Sequence, residues 1–259
     1  MHLILLSGDS GKRLWPLSND VRSKQFLKLL KDENGDRQSM VQRVYGQIKS
    51  ANPNADILIA TNSSQVDSIR SQLGNSVDIV IEPERRDTFP AIALASAYLA
   101  YEKNVDLNEP VIVLPVDPFA ELGFFMAVNK MANVIQNNLS DIALMGIKPE
   151  IPTSKYGYIV PKDIINDNIY SVLKFVEKPD ELTAKLLIDD GAFWNSGVFA
   201  FKLGFIMNIA HTSANFSSFY ELKNNYNNLQ KISFDYKVVE NTERIAMVTY
   251  NGKWSDIGT

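Results

Sequence analysis

The chain has 259 residues, with 26 Lys and Arg against 30 Asp and Glu and a formal net charge of −4. That balance excludes nonspecific binding to nucleic acid or to an anionic membrane, so an anionic ligand must be met by locally placed cations. With 45% hydrophobic residues the chain is long enough to bury a large core, and the lack of cysteine excludes disulfides and thiolate metal centres.

No apolar run approaches the ~18 residues of a membrane helix. The N-terminus has neither the basic region nor the cleavage site of a signal peptide. The expectation is a cytoplasmic protein.

In chain order, the apolar run 3–6 reads as a buried strand. Residues 39–50 place Met40, Val41, Val44 and Ile48 at helical spacing, and 56–60 reads as a strand. A helix is expected over 65–73, a strand over 78–81 and an Ala-rich helix over 91–101, with Pro90 in its first turn. A strand at 111–114, a helix at 125–137 and a strand at 142–146 continue the alternation. This pattern indicates a doubly wound, mostly parallel α/β sheet with helices on both faces. Ligands of such sheets sit beyond the carboxyl ends of the strands. After residue 147, strands at 157–160, 170–176 and 197–201 have fewer helices between them, so antiparallel strands are expected there. The Asn-rich stretch 215–228 reads as a helix end and a loop. No linker separates independent domains, so one domain with two lobes is expected.

Five stretches carry side chains capable of chemistry. The first strand runs into Ser7-Gly8-Asp9-Ser10-Gly11-Lys12-Arg13, with Lys24 downstream. Such a turn is either a surface loop or a polyphosphate cradle of backbone N–H groups and cations. Its glycine spacing is neither that of a P-loop nor G-x-G-x-x-G. In Glu82-Pro83-Glu84-Arg85-Arg86-Asp87-Thr88-Phe89-Pro90, Asp87 or Thr88 can cap the following helix. Asp117 stands at a strand end, where turn formers also occur. Glu177-Lys178 is a charge pair of the kind usual on solvated faces, and Trp194-Asn195-Ser196-Gly197 sets an amide beside a core aromatic. His2 and His211 belong to no catalytic grouping.

Together these stretches resemble the sugar-nucleotide pyrophosphorylases, most closely the mannose-1-phosphate guanylyltransferases. The first continues as Arg13-Leu14-Trp15-Pro16-Leu17-Ser18, with Lys24-Gln25-Phe26-Leu27 further on. Phe175-Val176-Glu177-Lys178-Pro179, Trp194-Asn195-Ser196-Gly197 and Trp254-Ser255-Asp256-Ile257-Gly258 match family segments in the same order. Weaker matches are Tyr156-Gly157-Tyr158 and Ser233-Phe234-Asp235-Tyr236.

The resemblance implies a Rossmann-like nucleotidyltransferase domain, with residues 1–146 mainly binding nucleotide and 147–259 mainly binding sugar phosphate. It implies transfer from an NTP, GTP favoured, to a sugar 1-phosphate, mannose 1-phosphate favoured, with release of pyrophosphate. Arg13 would serve the leaving pyrophosphate and Lys24 the α-phosphate, while Asp117 and Asp256 would hold Mg²⁺. Ser7, Gly8, Asp9, Ser10, Gly11, Lys12, Glu82, Arg86, Asp87 and Thr88 would bind nucleotide. Tyr156, Gly157, Glu177, Lys178, Asn195 and Asp235 would bind the sugar phosphate. Neither nucleic acid nor membrane is an expected partner, and a homodimer is compatible with the resemblance.

The chain departs from the family pattern at Asp9, Asp87 and Phe89, all expected to face the nucleotide, and at Pro118 and Lys155. These departures leave open a different NTP or acceptor, or a binding module without turnover. Family members usually continue into a C-terminal domain, so the chain is expected to correspond to the catalytic part.

Overall fold

In the computed structural model, which describes residues 1–8, 23–32 and 34–256, the first apolar run forms β1 (His2–Leu6). A hairpin of β2 (Leu30–Lys31) and β3 (Arg37–Gln38) leads into α1 (Met40–Ala51). A capping box starts α1: the Ser39 hydroxyl accepts from the Gln42 N–H, and the Gln42 side chain accepts from the Ser39 N–H. As its spacing predicts, Met40, Val41, Val44 and Ile48 are buried. The alternation continues through β4 (Asp56–Asn62), α2 (Val66–Leu73), β5 (Asp78–Glu82), α3 (Thr88–Tyr101) and β6 (Pro110–Pro115). Next come β7 (Pro118–Ala120), α4 (Leu122–Gln136) and β8 (Ile142–Ile147).

The second half contains β9 (Tyr158–Asn166), β10 (Ile169–Val176), α5 (Glu181–Asp189) and β11 (Phe193–Lys202). It ends with α6 (Leu203–Ser213), α7 (Phe219–Asn224), α8 (Phe234–Lys237), β12 (Ile245–Tyr250) and β13 (Trp254–Asp256). Only α5 lies between the strands β9, β10 and β11, and β10 and β11 run antiparallel to their neighbours, as expected. The helices α6 to α8 after β11 were not foreseen. The helix α6 follows β11 with no Gly or Pro between them, so no local signal marks the switch of period. The stretch 215–228 likewise holds the short α7, capped by Ser218, and a 3₁₀ turn at Tyr226–Asn228.

Nine strands form one sheet in the order β5-β4-β1-β6-β11-β8-β12-β10-β9. Seven run in one direction, while β10 and β11 oppose them. Side chains alternate across the pleat, so Leu3 and Leu5 join one apolar layer and Ile4 the other. The first layer includes residues of α1 and α4, the second residues of α3 and α6, so helices cover both faces.

Two features place the site. The parallel strands β1, β4, β5 and β6 bring Ser7, Glu82 and Asp117 to the same edge, at their carboxyl ends. The strand β11 also changes partner along its length. Phe199–Lys202 pairs with β6, whereas Trp194 and Phe193 pair with Tyr158 and Ile159 of β9. Between them its register against β8 shifts from Asn195 to Phe199, and Gly197 takes φ 74°, a value costly for other residues. A fork in the sheet opens there.

Candidate active site

Lys24 reaches the fork from a turn that polar side chains hold to the sheet. It begins a 3₁₀ turn at Lys24–Phe26 that sinks Phe26 into the core. Gln25 Nε2 donates to the Ser7 carbonyl and hydroxyl oxygens, both at 3.1 Å. Gln65 Oε1 accepts from Ser7 Oγ at 3.1 Å and Thr61 Oγ1 at 2.9 Å, while its Nε2 donates to Ser23 Oγ at 2.8 Å. All five side chains are buried. Buried polar groups without partners are costly, and this network, in which Gln25 Oε1 is left without a partner among the described residues, fixes the turn against the ends of β1 and β4. Sequence reasoning quoted Gln25 only inside a motif and missed Ser23, Thr61 and Gln65, which no local pattern marks.

The fixed turn aims Lys24 at two carboxylates. Its buried ammonium lies 2.7 Å from Asp117 Oδ2 and 3.6 Å from Asp256 Oδ1. These carboxylates come from distant parts of the chain. They meet because β13 pairs with β7, setting Asp256 opposite Pro118, next to Asp117. Pro118 opens its strand, a position that tolerates proline. Both carboxylates thus contact the same ammonium. Among the described residues no set of three or more His, Cys, Asp or Glu could hold a metal. A pair of hard oxygen ligands nevertheless fits Mg²⁺, which completes its octahedron with water and substrate phosphate oxygens.

Asp117 and Asp256 wall a cavity of about 220 Å³ shared with Lys155, Tyr156, Gly157, Glu177, Lys178, Asn195 and Asp235. Glu177 is buried and pairs with the half-exposed Lys178. Burial opposes the Lys178 charge, but the hydrogen bond and charge of Glu177 outweigh it and raise the ammonium pKa. Asn195 Nδ2 donates to Asp235 Oδ1 at 2.8 Å. Burial, then the Glu177 carboxylate, pushes Asp235 up to about 7 against the pull of Lys178. Gly157 is the one place here where a side chain cannot fit. A Cβ would stand 2.6 Å from Glu177 Oε2 and 2.8 Å from Phe175 Cζ. The Gly157 carbonyl accepts from the Asn195 N–H at 2.8 Å, tying β11 to this approach. Tyr156 packs between Trp194 and Trp254, at ring-centroid distances of 5.1 and 5.4 Å.

A second cavity of about 450 Å³ adjoins the first through Pro115, Asp117, Gly197 and Asp235. It is lined by Gly8, Glu82, Arg85, Arg86, Asp87, Thr88 and Ala91, with Leu6, Ala60 and Phe199 as apolar wall. Tyr226 Oη donates to buried Glu82 Oε2 at 2.9 Å. Burial raises the Glu82 pKa, with the Tyr226 hydrogen bond and the Arg85 charge opposing it, while burial and Glu82 push the Tyr226 phenol well upward. Asp87 caps α3 by accepting from the Thr88 N–H at 2.8 Å. Its φ of 71° and ψ of −174° lie in a region almost confined to glycine. Strain is thus stored at the cavity mouth.

Most of the expected site converges. Lys24, Asp117, Asp256, Tyr156, Gly157, Glu177, Lys178, Asn195 and Asp235 line the smaller cavity, and Gly8, Glu82, Arg86, Asp87 and Thr88 the larger. Ser7 lies behind the wall as a staple. Arg86 is also structural: Nε donates to the Leu229 carbonyl at 2.9 Å and Nη1 meets Glu84 at 2.6 Å. Phe89 corrects an expectation, since it is fully buried in the core and does not face the cavity. Asp9, Ser10, Gly11, Lys12 and Arg13 lie outside the described residues. Arg85, Tyr226 and Lys155 join the site without having been singled out as binding residues. Their only signal was proximity to a motif, and Tyr226 lacked even that.

Comparison with known proteins decides the family. The model described as Nucleotidyl transferase matches residues 2–259. The chain belongs to the nucleotidyl transferase family. It is 32% identical to "Mannose-1-phosphate guanylyltransferase 2" of Escherichia coli O157:H7 over 99% of this chain and 58% of that protein. It is 29% identical to "Mannose-1-phosphate guanylyltransferase RfbM" of Salmonella typhimurium over 99% of this chain and 56% of that one. The chain therefore spans little more than half the length of these relatives. Among solved structures, a Thermus thermophilus protein described as a mannose-1-phosphate geranyltransferase superposes with a TM-score of 0.82 at 28% identity. That match covers 99% of this chain and 76% of the other. In this nucleotidyl transferase no helix among the described residues is long and apolar enough to cross a membrane.

Proposed function

We propose that this nucleotidyl transferase joins a sugar 1-phosphate to the nucleotidyl group of an NTP, forming GDP-mannose and pyrophosphate from mannose 1-phosphate and GTP. The observation carrying this reading is the meeting of two cavities at Asp117, one lined by strand ends and the start of α3, the other by Glu177, Lys178 and Asn195. Residues 1–146 supply most of the larger cavity and 147–259 most of the smaller, which supports a nucleotide lobe and a sugar-phosphate lobe. The relatives' names supply the choice of guanine and mannose.

In this reaction an oxygen of the sugar phosphate forms a bond to the α-phosphorus, and the bond from that phosphorus to pyrophosphate breaks. The substrate is the nucleophile, so the protein has to align two anions and offset their charge. Lys178 orients the sugar phosphate, Glu177 and Asn195 take sugar hydroxyls, and Lys24 meets the α-phosphate. Asp117 and Asp256 would hold Mg²⁺, which supplies charge neutralisation at the phosphates. The α3 N-terminus and Glu82 with Arg85 border the nucleotide.

A second reading, a related pyrophosphorylase for another nucleotide, is favoured by the Asp87 carboxylate lining the nucleotide cavity. An ionised Asp only accepts hydrogen bonds, so it selects a base differently from Asn. Both readings are tested by following pyrophosphate with Mg²⁺, each of the four NTPs and a panel of sugar 1-phosphates. Release with GTP and mannose 1-phosphate supports the first. Release only with another NTP overturns it in favour of the second, and nucleotide binding without any release overturns both.

A further inference from the structure

Both proposed cation ligands sit at one end of the two-stranded β7–β13 ribbon, outside the nine-stranded sheet. A ribbon this short does not hold its own position in water. Besides the Lys24 ion pairs and the Tyr156–Trp254 ring contact, α1 holds it. Arg43 Nη2 and Gln47 Nε2 both donate to the Ala120 carbonyl, at 3.2 and 3.1 Å. The two donors stand one helical turn apart, so they converge on one acceptor from one stripe of the helix. The Arg43 guanidinium also lies 4.8 Å from the ring centroid of Phe119, the preceding residue of the ribbon.

Stability alone gives little reason for this pair. Arg43 Nε and Gln47 Oε1 are buried with no hydrogen-bond partner. Apolar side chains of similar shape would spare the fold those unsatisfied atoms. The same helix also reaches Lys24. Gln42 and Ser39 of its first turn hold Gln72, whose Nε2 donates to the Phe26 carbonyl in the Lys24 turn at 3.0 Å. The helix α1 thus contacts the ribbon directly and, through Gln72 of α2, the Lys24 turn.

We propose that Arg43 and Gln47 are positioning residues for the divalent cation, holding the β7–β13 ribbon through the Ala120 carbonyl so that Asp117 and Asp256 converge. The inference rests on the reading of those two carboxylates as cation ligands. Outer residues that orient metal ligands typically govern about 10- to 100-fold in affinity.

The test is a Mn²⁺ titration of the full chain without nucleotide, with free aquo-Mn²⁺ read by electron paramagnetic resonance. Arg43→Met is expected to weaken Mn²⁺ binding about 10-fold and Gln47→Leu by less. The double variant should lose less than the product of the two, because both act on one carbonyl. Arg43→Lys, which keeps the charge and stem, should recover part of the loss. Mannose 1-phosphate binding in EDTA should be unchanged in every variant, which a general loosening of the fold would not allow. Gln47→Leu, which removes one neutral donor, carries the test if Arg43→Met melts at the assay temperature. Asp117→Asn separates the two levels. If it lowers Mn²⁺ affinity while the Arg43 and Gln47 variants do not, the positioning role is overturned and the ligands stand. If Asp117→Asn itself leaves Mn²⁺ affinity unchanged, the cation site falls and this inference with it.

Discussion

The two cavities that meet at Asp117 are built in different ways. The larger is lined by strand ends, the start of α3 and an apolar wall, and its charged members are largely engaged with the protein, Glu82 by Tyr226 and Arg86 by Leu229 and Glu84. The smaller gathers Lys24, Asp117, Asp256, Glu177, Lys178 and Asp235 around one small volume. One is suited to select by shape and backbone, the other to handle charge. Substitutions in the smaller should therefore act on turnover and on the phosphate acceptor, and those in the larger on nucleotide affinity.

The sharpest separation should come from Asp256→Asn, since Asp256 lines only the smaller cavity. It removes half of the carboxylate pair, and kcat should fall about 10²- to 10³-fold, the scale of losing one group that offsets charge in a transition state. Nucleotide affinity measured without metal should hold. A large loss of metal-free nucleotide binding would erase the distinction between the cavities.

Gly157→Ala should come next. Its Cβ would press on Glu177 Oε2 and Phe175, and overpacking of this kind costs about 1–3 kcal/mol. The KM for mannose 1-phosphate should rise on the order of 10-fold, as expected for a part of that energy felt at the site. An unchanged KM would mean that Glu177 does not read the sugar.

Asp235→Asn should have a smaller effect, visible mainly through pH. The Asp235 carboxyl is pushed up to about 7 by burial and Glu177, so the fold favours its protonated form. That contribution to stability is full below the ordinary carboxylate range near pH 4 and is lost as pH rises through about 7. Relative to the parent, Asp235→Asn should therefore gain stability as pH rises from about 4 to about 7 in paired thermal melts. The parent KM for mannose 1-phosphate should climb through the same window, as a carboxylate appears beside the phosphate, while the variant stays flat. Parallel profiles would refute this.

The weakest effect should be that of Tyr226→Phe, which removes the hydrogen bond to Glu82. Leaving a buried acceptor short of its donor costs about 1–3 kcal/mol in thermal melts. Any change in nucleotide KM should exceed the change for mannose 1-phosphate.

How much of this could be read from the chain alone follows the same division. The strands of the first half and the carboxyl-end position of Ser7, Glu82 and Asp117 follow from hydrophobic runs and turn chemistry, which are local. Glu177, Lys178 and Asn195 stand in contiguous segments and could be named only through the family resemblance, since their residue types alone read as a solvated pair and an amide beside a core aromatic. Convergence could not be derived from spacing. Lys24 meets Asp256 only because the three-residue strand β13 pairs with β7, and β11 opens the fork only because it changes partner midway. The links of Gln65 to Ser23 and Ser7 are long-range and were invisible, as was Tyr226 beneath Glu82. Phe89, read as facing a ligand, faces the core because it follows the cap of a helix that is buried almost all round.

One assay bears most directly on the division of labour. In Lys178→Ala, the KM for mannose 1-phosphate and the affinity for GTP are measured side by side. Loss of one charged hydrogen bond of about 2 kcal/mol should raise the former roughly 30-fold while leaving GTP affinity unchanged. Equal loss on both substrates would contradict the assignment of the two cavities.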